Sequence, residues 1–153
     1  IELSHPMRVE QYGLREDGHG AGHHRGGIGI IRESRFLTDA VMTMEGDGNT
    51  YKPNGLFGGT DGTHGDLKHI TADGDVIDLN SKESGYKFAE GDRVLIKTAS
   101  GGGYGDPHER SADQVYEDYL DGLLTEEMAL EAYDVVIVDG GLDTEATADR
   151  RGD

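Results

Sequence analysis

The distribution of glycine constrains the fold of this chain more than any other feature of its sequence. Glycine accounts for 25 of the 153 residues, whereas proline accounts for only 3, so the glycines do not belong to a proline-rich linker. Glycine permits close backbone approach but is costly to order, and clusters of it between apolar segments therefore indicate tightly packed backbone rather than disorder. The three clusters are GHGAGHHRGGIG (18–29), GLFGGTDGTHGD (55–66) and GGGYGD (101–106).

The segments between the clusters predict a mainly β fold that ends in helices. FLTDAVMTM (36–44) alternates partially, HITADGDVIDLNS (69–81) has the DG turn of a hairpin, and GYKFAEGDRVLIKTA (85–99) indicates two strands joined through AEGD. Ser111 and Gln114 form a capping box before an apolar-periodic run, and Thr125 with Glu126 and Glu127 predicts the start of a second helix that runs to about Tyr133. We expect an α+β fold, mainly β, with a Gly-punctuated body over 1–110 and a helical tail of the same domain over 111–153.

Charge and composition narrow the range of partners and compartments. The chain has 31 acidic and 14 basic residues and a net charge of −17, which disfavours nucleic acid and anionic membranes. Such acidity is typical of a halophilic protein, in which salt screens the repulsion between the negative charges of the chain. The alternative is an ordinary acidic cytosolic protein. The absence of cysteine excludes disulfides and thiolate metal sites, and no apolar run approaches the ~20 residues of a membrane span. We expect a cytoplasmic protein without membrane contacts.

The first glycine cluster holds the candidate site residues His19, His23 and Arg25. His19 and His23 have the i, i+4 spacing of a helical metal site, but the surrounding glycines each cost a helix about 1 kcal/mol relative to alanine. An extended backbone with three residues per turn, as in polyproline II, instead places His19 and Arg25 on one edge and His23 among glycines. His64, near Asp61, is a further candidate metal ligand, with solvated loop histidines as the simpler interpretation.

Other motifs for binding or catalysis are incomplete. The first cluster lacks the lysine of a phosphate loop and is followed by a strand-like segment where a dinucleotide site needs a helix. The segment DGDVIDLNSKES (73–84) fails the EF-hand pattern at Ile77 and Ser84. Residues alone therefore define an acidic, β-rich domain that belongs to something larger.

The glycine clusters, in their order along the chain, resemble the C-terminal part of the hydantoinase B/5-oxoprolinase family, which includes the large subunits of acetone and acetophenone carboxylases. The most specific motifs are GAGHHRGGIG (20–29) and GGGYGDPHER (101–110), the latter followed by the capped helix. The chain departs from the family pattern at Asp134, where glycine is usual. The resemblance implies barrel-like β-sheets and Gly-rich, polyproline II-like segments whose backbones approach closely.

The resemblance also implies cofactors and partners. ATP and Mg²⁺ would bind a hydantoinase A-type subunit, and any divalent metal would bind mainly the upstream part of the B-type polypeptide. Both polypeptides are expected partners in a hetero-oligomer. Within this chain we predict His19 and Arg25 as catalytic residues and His23 and His64 as metal ligands.

The activity that the resemblance implies is ATP-dependent hydrolysis of a cyclic amide. The chain would be one piece of a longer polypeptide or a processed product, would complete the B-type fold, and would be inactive alone. Two alternatives stay open: a subunit of an ATP-dependent acetone/acetophenone-type carboxylase, and a purely structural assembly subunit.

Overall fold

A computed structural model describes residues 2–16 and 18–152 and shows a mainly β chain with three α-helices. The expected α+β class is confirmed. The strands are β1 (Met7–Leu14), β2 (Ile30–Phe36), β3 (Ala40–Glu45), β4 (Asp66–Ile70), β5 (Val76–Asp78), β6 (Lys82–Phe88), β7 (Arg93–Lys97), β8 (Ile137–Val138) and β9 (Gly141–Leu142).

Five of the strands form one antiparallel sheet in the order β1-β2-β7-β4-β5. β3 pairs with β6 and β8 pairs with β9, each as a separate two-stranded sheet. The large sheet is open, with β1 and β5 at its edges, so the expected barrel-like closure is not found within the part of the chain that the structure describes. The predicted hairpin over 69–81 is confirmed by the β4–β5 pair.

The helices begin where the capping residues predict. A short 3-10 helix (Pro107–Glu109) precedes α1 (Ala112–Leu120), and α2 (Glu126–Tyr133) and α3 (Thr144–Arg151) follow. The Ser111 hydroxyl accepts a hydrogen bond from the Gln114 N–H at 3.2 Å, which confirms the predicted N-cap of α1. No helix among the described residues is long and apolar enough to cross a membrane.

The chain clusters into two compact units that interleave along the sequence. The first, here the sheet unit, comprises Ile1–Arg15, Gly29–Lys52 and His64–Ala99. The second, here the glycine unit, comprises Glu16–Ile28, Pro53–Thr63 and Ser100–Asp153. The glycine segments therefore cluster with the helices, and the sequence-based boundary at residue 110 stays a prediction.

Each unit has its own apolar core. In the sheet unit, Phe36 stacks on Phe88 with ring centroids 4.6 Å apart, and a buried His69–Asp92 pair lies nearby at 2.8 Å. The glycine unit is centred on residues of α1, α2 and the segment after α2. The most deeply buried apolar side chains of this core include Val115, Ala129, Tyr133 and Val135.

Candidate functional site

Three glycine-rich backbone segments interlock within the glycine unit. We call residues 18–27 the first glycine segment, 53–63 the second and 100–105 the third. Backbone hydrogen bonds join every pair of them, because extended segments must satisfy their N–H and C=O groups through neighbours. Examples are Gly20 N–H to Gly101 O at 2.9 Å, Thr60 N–H to Ala21 O at 2.8 Å and Leu56 N–H to Gly103 O at 2.9 Å.

The close approach of these segments requires glycine. A Cβ added at Gly26 would overlap the carbonyl oxygen of Gly101, and one added at Gly103 would overlap the carbonyl oxygen of Ala21. These obstacles are backbone atoms, which cannot move aside as a flexible side chain can. The polyproline II conformation of the segments stays a prediction, whereas their close backbone contact is observed.

A cluster of five polar side chains lies against this backbone framework, and we call it the Arg–His cluster. His19 and Arg25 come from the first glycine segment, Arg110 follows the 3-10 helix, Asp118 lies on α1 and Tyr133 ends α2. Local sequence positions these side chains. Glycines allow the first glycine segment to fold back on itself, and the N-cap residues Ser111 and Thr125 fix where α1 and α2 begin.

Asp118 is the centre of the cluster and binds both arginines. Arg25 Nε donates to Asp118 Oδ1 at 3.0 Å, and Arg110 Nη2 donates to Asp118 Oδ2 at 2.8 Å. The Asp118 side chain is only 9% exposed, and a carboxylate at this depth requires such charged partners. Arg110 Nη1 also donates to the backbone carbonyl of His23 at 3.1 Å, so Arg110 is committed to holding the framework.

His19 is buried beside this ion-pair network. Its Nε2 lies 3.4 Å from the Tyr133 hydroxyl, and its buried Nδ1 has no hydrogen-bond partner among the described residues. Burial lowers the pKa of His19 to about 4, and the nearby Arg25 charge acts in the same direction. At neutral pH the His19 imidazole is therefore uncharged and retains an acceptor nitrogen.

The structure places His19 and Arg25 in the same cluster, and their catalytic roles stay a prediction. The Gly26 N–H donates to the Gly20 carbonyl at 2.8 Å, so the segment folds back between these residues, and this turn rather than an extended three-residue period brings them together. His23 is 43% exposed, with its Nδ1 3.7 Å from Glu109 Oε2 and its ring 4.6 Å from that of His24. His64 is exposed, belongs to the sheet unit and pairs with the carbonyl of Gly65 at 3.0 Å.

His23, His64 and the first glycine segment lack the arrangements that metal and phosphate sites need. Across residues 2–16 and 18–152, no group of three or more His, Asp or Glu side chains is arranged to hold a metal ion. His23 and His64 therefore lie in no complete ligand set. The first glycine segment leads to β2 rather than to a helix, so it also lacks the helix N-terminus of a dinucleotide or phosphate loop.

Sequence reasoning missed Arg110, Asp118 and Tyr133, which lie far along the chain from His19. One signal was present for Asp118: it lies three residues after Val115, which places a carboxylate on the buried stripe of α1. A carboxylate at such a position needs buried cationic partners, and arginine is the usual choice.

A second polar network, around His108, was also missed. His108 Nδ1 lies 2.9 Å from Asp106 Oδ1, and its Nε2 lies 2.8 Å from Asp134 Oδ2. Asp134 Oδ1 accepts from Arg150 Nη2 at 2.8 Å, so the network ties the 3-10 helix to the end of α2 and to α3. The network is exposed and serves the architecture of the glycine unit.

The fold and the glycine framework agree with comparisons to known proteins. The sequence profile of the hydantoinase B/oxoprolinase family matches residues 1–107, and the chain belongs to that family. The chain is 40% identical over 153 residues to the putative B-type subunit of a D-/L-hydantoinase from Pseudomonas sp. (strain NS671), covering 99% of this chain and 26% of that protein. The family resemblance drawn from the glycine motifs is confirmed.

Two solved structures share the fold. The crystal structure of the ATP-dependent caprolactamase from Pseudomonas jessenii matches with a TM-score of 0.79 and 31% identity, over 100% of this chain and 27% of that one. The nucleotide-free structure of acetone carboxylase matches with a TM-score of 0.75 and 21% identity, over 99% of this chain and 25% of that one, and shows a likeness of fold. The chain thus spans about a quarter of the length of these relatives.

Proposed function

We propose that this chain forms the C-terminal part of the B-type component of an ATP-dependent cyclic-amide hydrolase. Its family membership supports this function, and so does its similarity to a B-type hydantoinase component and to an ATP-dependent caprolactamase. The overall reaction opens the amide C–N bond with water, giving a carboxylate and an amine, while ATP is hydrolysed to ADP and phosphate. We propose that the chain is inactive alone.

The Arg–His cluster is the observation that carries this proposal within the chain. A neutral, buried His19 and a partly exposed Arg25 are held by backbone contacts that only glycine permits. Such pre-organisation is characteristic of active sites, where groups must keep a fixed geometry through the reaction. We propose that His19 and Arg25 line the active site, His19 as a neutral hydrogen-bonding group and Arg25 as a cation.

Partners supply the remaining chemistry in this proposal. ATP and Mg²⁺ bind a hydantoinase A-type subunit, and a divalent metal binds the upstream part of the B-type polypeptide. That upstream part also completes the open sheet into a barrel-like arrangement. Among the described residues no group of three or more His, Asp or Glu side chains is arranged to hold a metal ion, and in this proposal the chain contributes the Arg–His cluster and the framework that holds it. We place the hetero-oligomer in the cytoplasm.

Reconstitution tests the proposal and separates it from the carboxylase alternative, which the fold shared with acetone carboxylase supports. The complete B-type polypeptide containing this chain is co-expressed with the A-type polypeptide, and ADP release is measured with hydantoin, 5-oxoproline, caprolactam and acetone. We expect amide-dependent, bicarbonate-independent ADP release with ring-opened product. Ketone- and bicarbonate-dependent release would show a carboxylase instead. A B-type polypeptide that stays a stable monomer in the presence of the A-type polypeptide would contradict both.

A further inference from the structure

We propose that Arg25 is an oxyanion-binding residue and that Asp118 and Arg110 are positioning residues that hold its guanidinium for a two-oxygen ligand. The ligand class is a carboxylate or a phosphate. The nature of the anion rests on the proposed function, since amide hydrolysis yields a carboxylate and ATP hydrolysis yields phosphate. The site itself rests on the geometry of the Arg–His cluster.

Charge balance is the first argument for an anion at Arg25. The cluster contains two guanidinium groups, one carboxylate, an uncharged imidazole and the neutral Tyr133 hydroxyl. One positive charge is therefore uncompensated, in a protein whose net charge is −17. Burying unpaired charge is costly, and a bound anion would complete the balance.

The direction of the free donors is the second argument. The guanidinium is planar, so the Nε–H···Oδ1 bond from Arg25 to Asp118 orients its terminal amino groups. Arg25 Nη1 makes only a long contact, 3.4 Å, to the carbonyl of Gly26, and Nη2 donates to none of the described residues. The Nη1–Nη2 edge thus presents two parallel N–H groups, the arrangement that binds two oxygens of one ligand.

The third argument is that the Arg25 side chain is held rigidly. Gly26, the residue after Arg25, packs directly on the backbone of Gly101, and Arg110 joins the His23 carbonyl to Asp118. Arg25 is therefore fixed through its backbone on one side and through Asp118 on the other. Its side chain is nevertheless 25% exposed, so a ligand can reach the terminal amino groups. Because the Arg25 guanidinium is already oriented and its Nη1–Nη2 edge is accessible, it loses little conformational entropy on binding an anion.

Anion binding to the complete B-type polypeptide that contains this chain tests the inference. Phosphate and acetate are titrated separately at pH 7 and constant ionic strength, followed by backbone amide chemical shifts of the first glycine segment. We expect saturable shifts with at least one of the two anions. Saturation with one anion or with both supports the site, and which of them saturates it identifies the ligand class. If neither phosphate nor acetate gives saturable shifts, the proposal is overturned.

Variants distinguish a specific anion site at Arg25 from the nonspecific attraction of anions by any positively charged side chain. Arg25→Gln is expected to weaken binding at least about tenfold, and Arg25→Lys, which keeps the charge and the fold but loses the fork, several-fold. Arg32→Gln in β2 removes the same charge from the sheet unit and is expected to leave affinity within about twofold. Equal affinities for the Arg25→Lys variant and the unaltered chain would contradict a fork-type site.

The positioning role has its own readout. Asp118→Asn retains the shape of the side chain but removes its charge, which by charge balance alone would strengthen anion binding. We expect weaker binding instead, because the Arg25 guanidinium is no longer held in place. Unchanged or stronger binding in Asp118→Asn would overturn the positioning role. None of these titrations contains ATP or an amide, so their failure would remove the anion site without deciding the proposed hydrolase activity.

Discussion

His19 shows how burial decides the chemistry of a single residue. Solvent exclusion and the charge of Arg25 both disfavour the imidazolium and lower the pKa of His19, and the opposing attraction of Asp118 is smaller. His19 is thus kept uncharged near neutral pH, as an imidazole that can accept a hydrogen bond. The same burial makes folding depend on pH.

The free energy of unfolding should rise with pH between about 4 and 6.5 because of His19. The folded-state pKa of about 4 lies below the ordinary value of 6.5, so the unfolded chain takes up a proton first as pH falls. The contribution is fully present above pH 6.5 and is lost towards pH 4, with an upper bound of about 3 kcal/mol. Urea unfolding at a series of pH values measures it.

The variant His19→Gln should flatten this pH dependence, whereas His5→Gln, at an exposed position, should leave it unchanged. Acidic groups act in a lower window: the Arg150 guanidinium holds the pKa of Asp134 below its usual 3.8, so that contribution is lost only at pH values beneath it. A slope that persists in His19→Gln between pH 4 and 6.5 would contradict the assignment.

At this scale the sequence predicted part of the cluster. The first glycine cluster pointed to His19 and Arg25, but a hydrogen bond from the Gly26 N–H to the Gly20 carbonyl folds the segment back, so the extended period that predicted their shared edge is not what brings them together. Asp118 lies 93 residues after Arg25, and Tyr133 lies 114 residues after His19. No local pattern specifies such contacts, and only the helix register of Asp118 hinted at a buried partner.

The glycine segments govern the structure at the scale of elements, and adjacent glycines should differ sharply in tolerance. Gly26→Ala places a Cβ inside the Gly101 carbonyl, whereas a Cβ at Gly27 meets no atom within 4 Å. We expect Gly26→Ala to destabilise the chain by about 3 kcal/mol or more and Gly27→Ala by less than about 1 kcal/mol. Chemical denaturation of the two variants measures the difference, and equal effects would contradict backbone interlocking.

The C-cap of α2 offers a second test at this scale. Asp134 adopts a left-handed conformation, φ 51° and ψ 35°, which glycine accommodates at lower cost than a residue with a Cβ. Asp134→Ala keeps the strained backbone and loses the bonds to His108 and Arg150, whereas Asp134→Gly loses the bonds but relieves the strain. We expect the alanine variant to be less stable than the glycine variant by about 1 kcal/mol.

Thermal unfolding of both Asp134 variants, with the unaltered chain, gives this ordering directly. Asp134→Asn is the matched control, because asparagine tolerates the left-handed region and its amide oxygen can still accept from Arg150. An alanine variant as stable as the glycine variant would show that the backbone at Asp134 is not strained.

Local signals predicted the elements better than their pairing. The caps placed α1 and α2, and the DG turn placed the β4–β5 hairpin. The two strands expected on either side of AEGD also form, as β6 and β7, but they join different sheets: β6 pairs with β3, and β7 lies between β2 and β4. Pairing follows the burial of whole faces, which the sequence between two strands does not encode.

For the whole molecule, charge is the property with the widest consequence. A net charge of −17 on 153 residues opposes compaction, and salt screens this repulsion over a Debye length of about 8 Å at 0.15 M and about 3 Å at 1 M. We expect the unfolding temperature to rise by at least about 5 °C between 0.1 M and 2 M KCl. Calorimetry with sucrose as a non-ionic control checks the halophilic interpretation, and a flat response to KCl would contradict it.

The proposed function assigns the Arg–His cluster to an active site formed only in the assembled complex. The sequence identified the family through the order of its glycine clusters, since close backbone packing leaves a visible pattern. The chemistry depends on Arg110, Asp118 and Tyr133 as well, which become visible only when the glycine segments and helices are brought together.

Amide-dependent ADP release by the reconstituted complex is the most direct test of this account. The Arg25→Gln variant is compared with the unaltered complex and with Arg32→Gln, and size-exclusion chromatography verifies assembly in each case. We predict that Arg25→Gln assembles normally but loses ring-opened product by at least about 100-fold, whereas Arg32→Gln retains activity. Undiminished turnover in an assembled Arg25→Gln complex would contradict the account and show that the cluster has a structural role only.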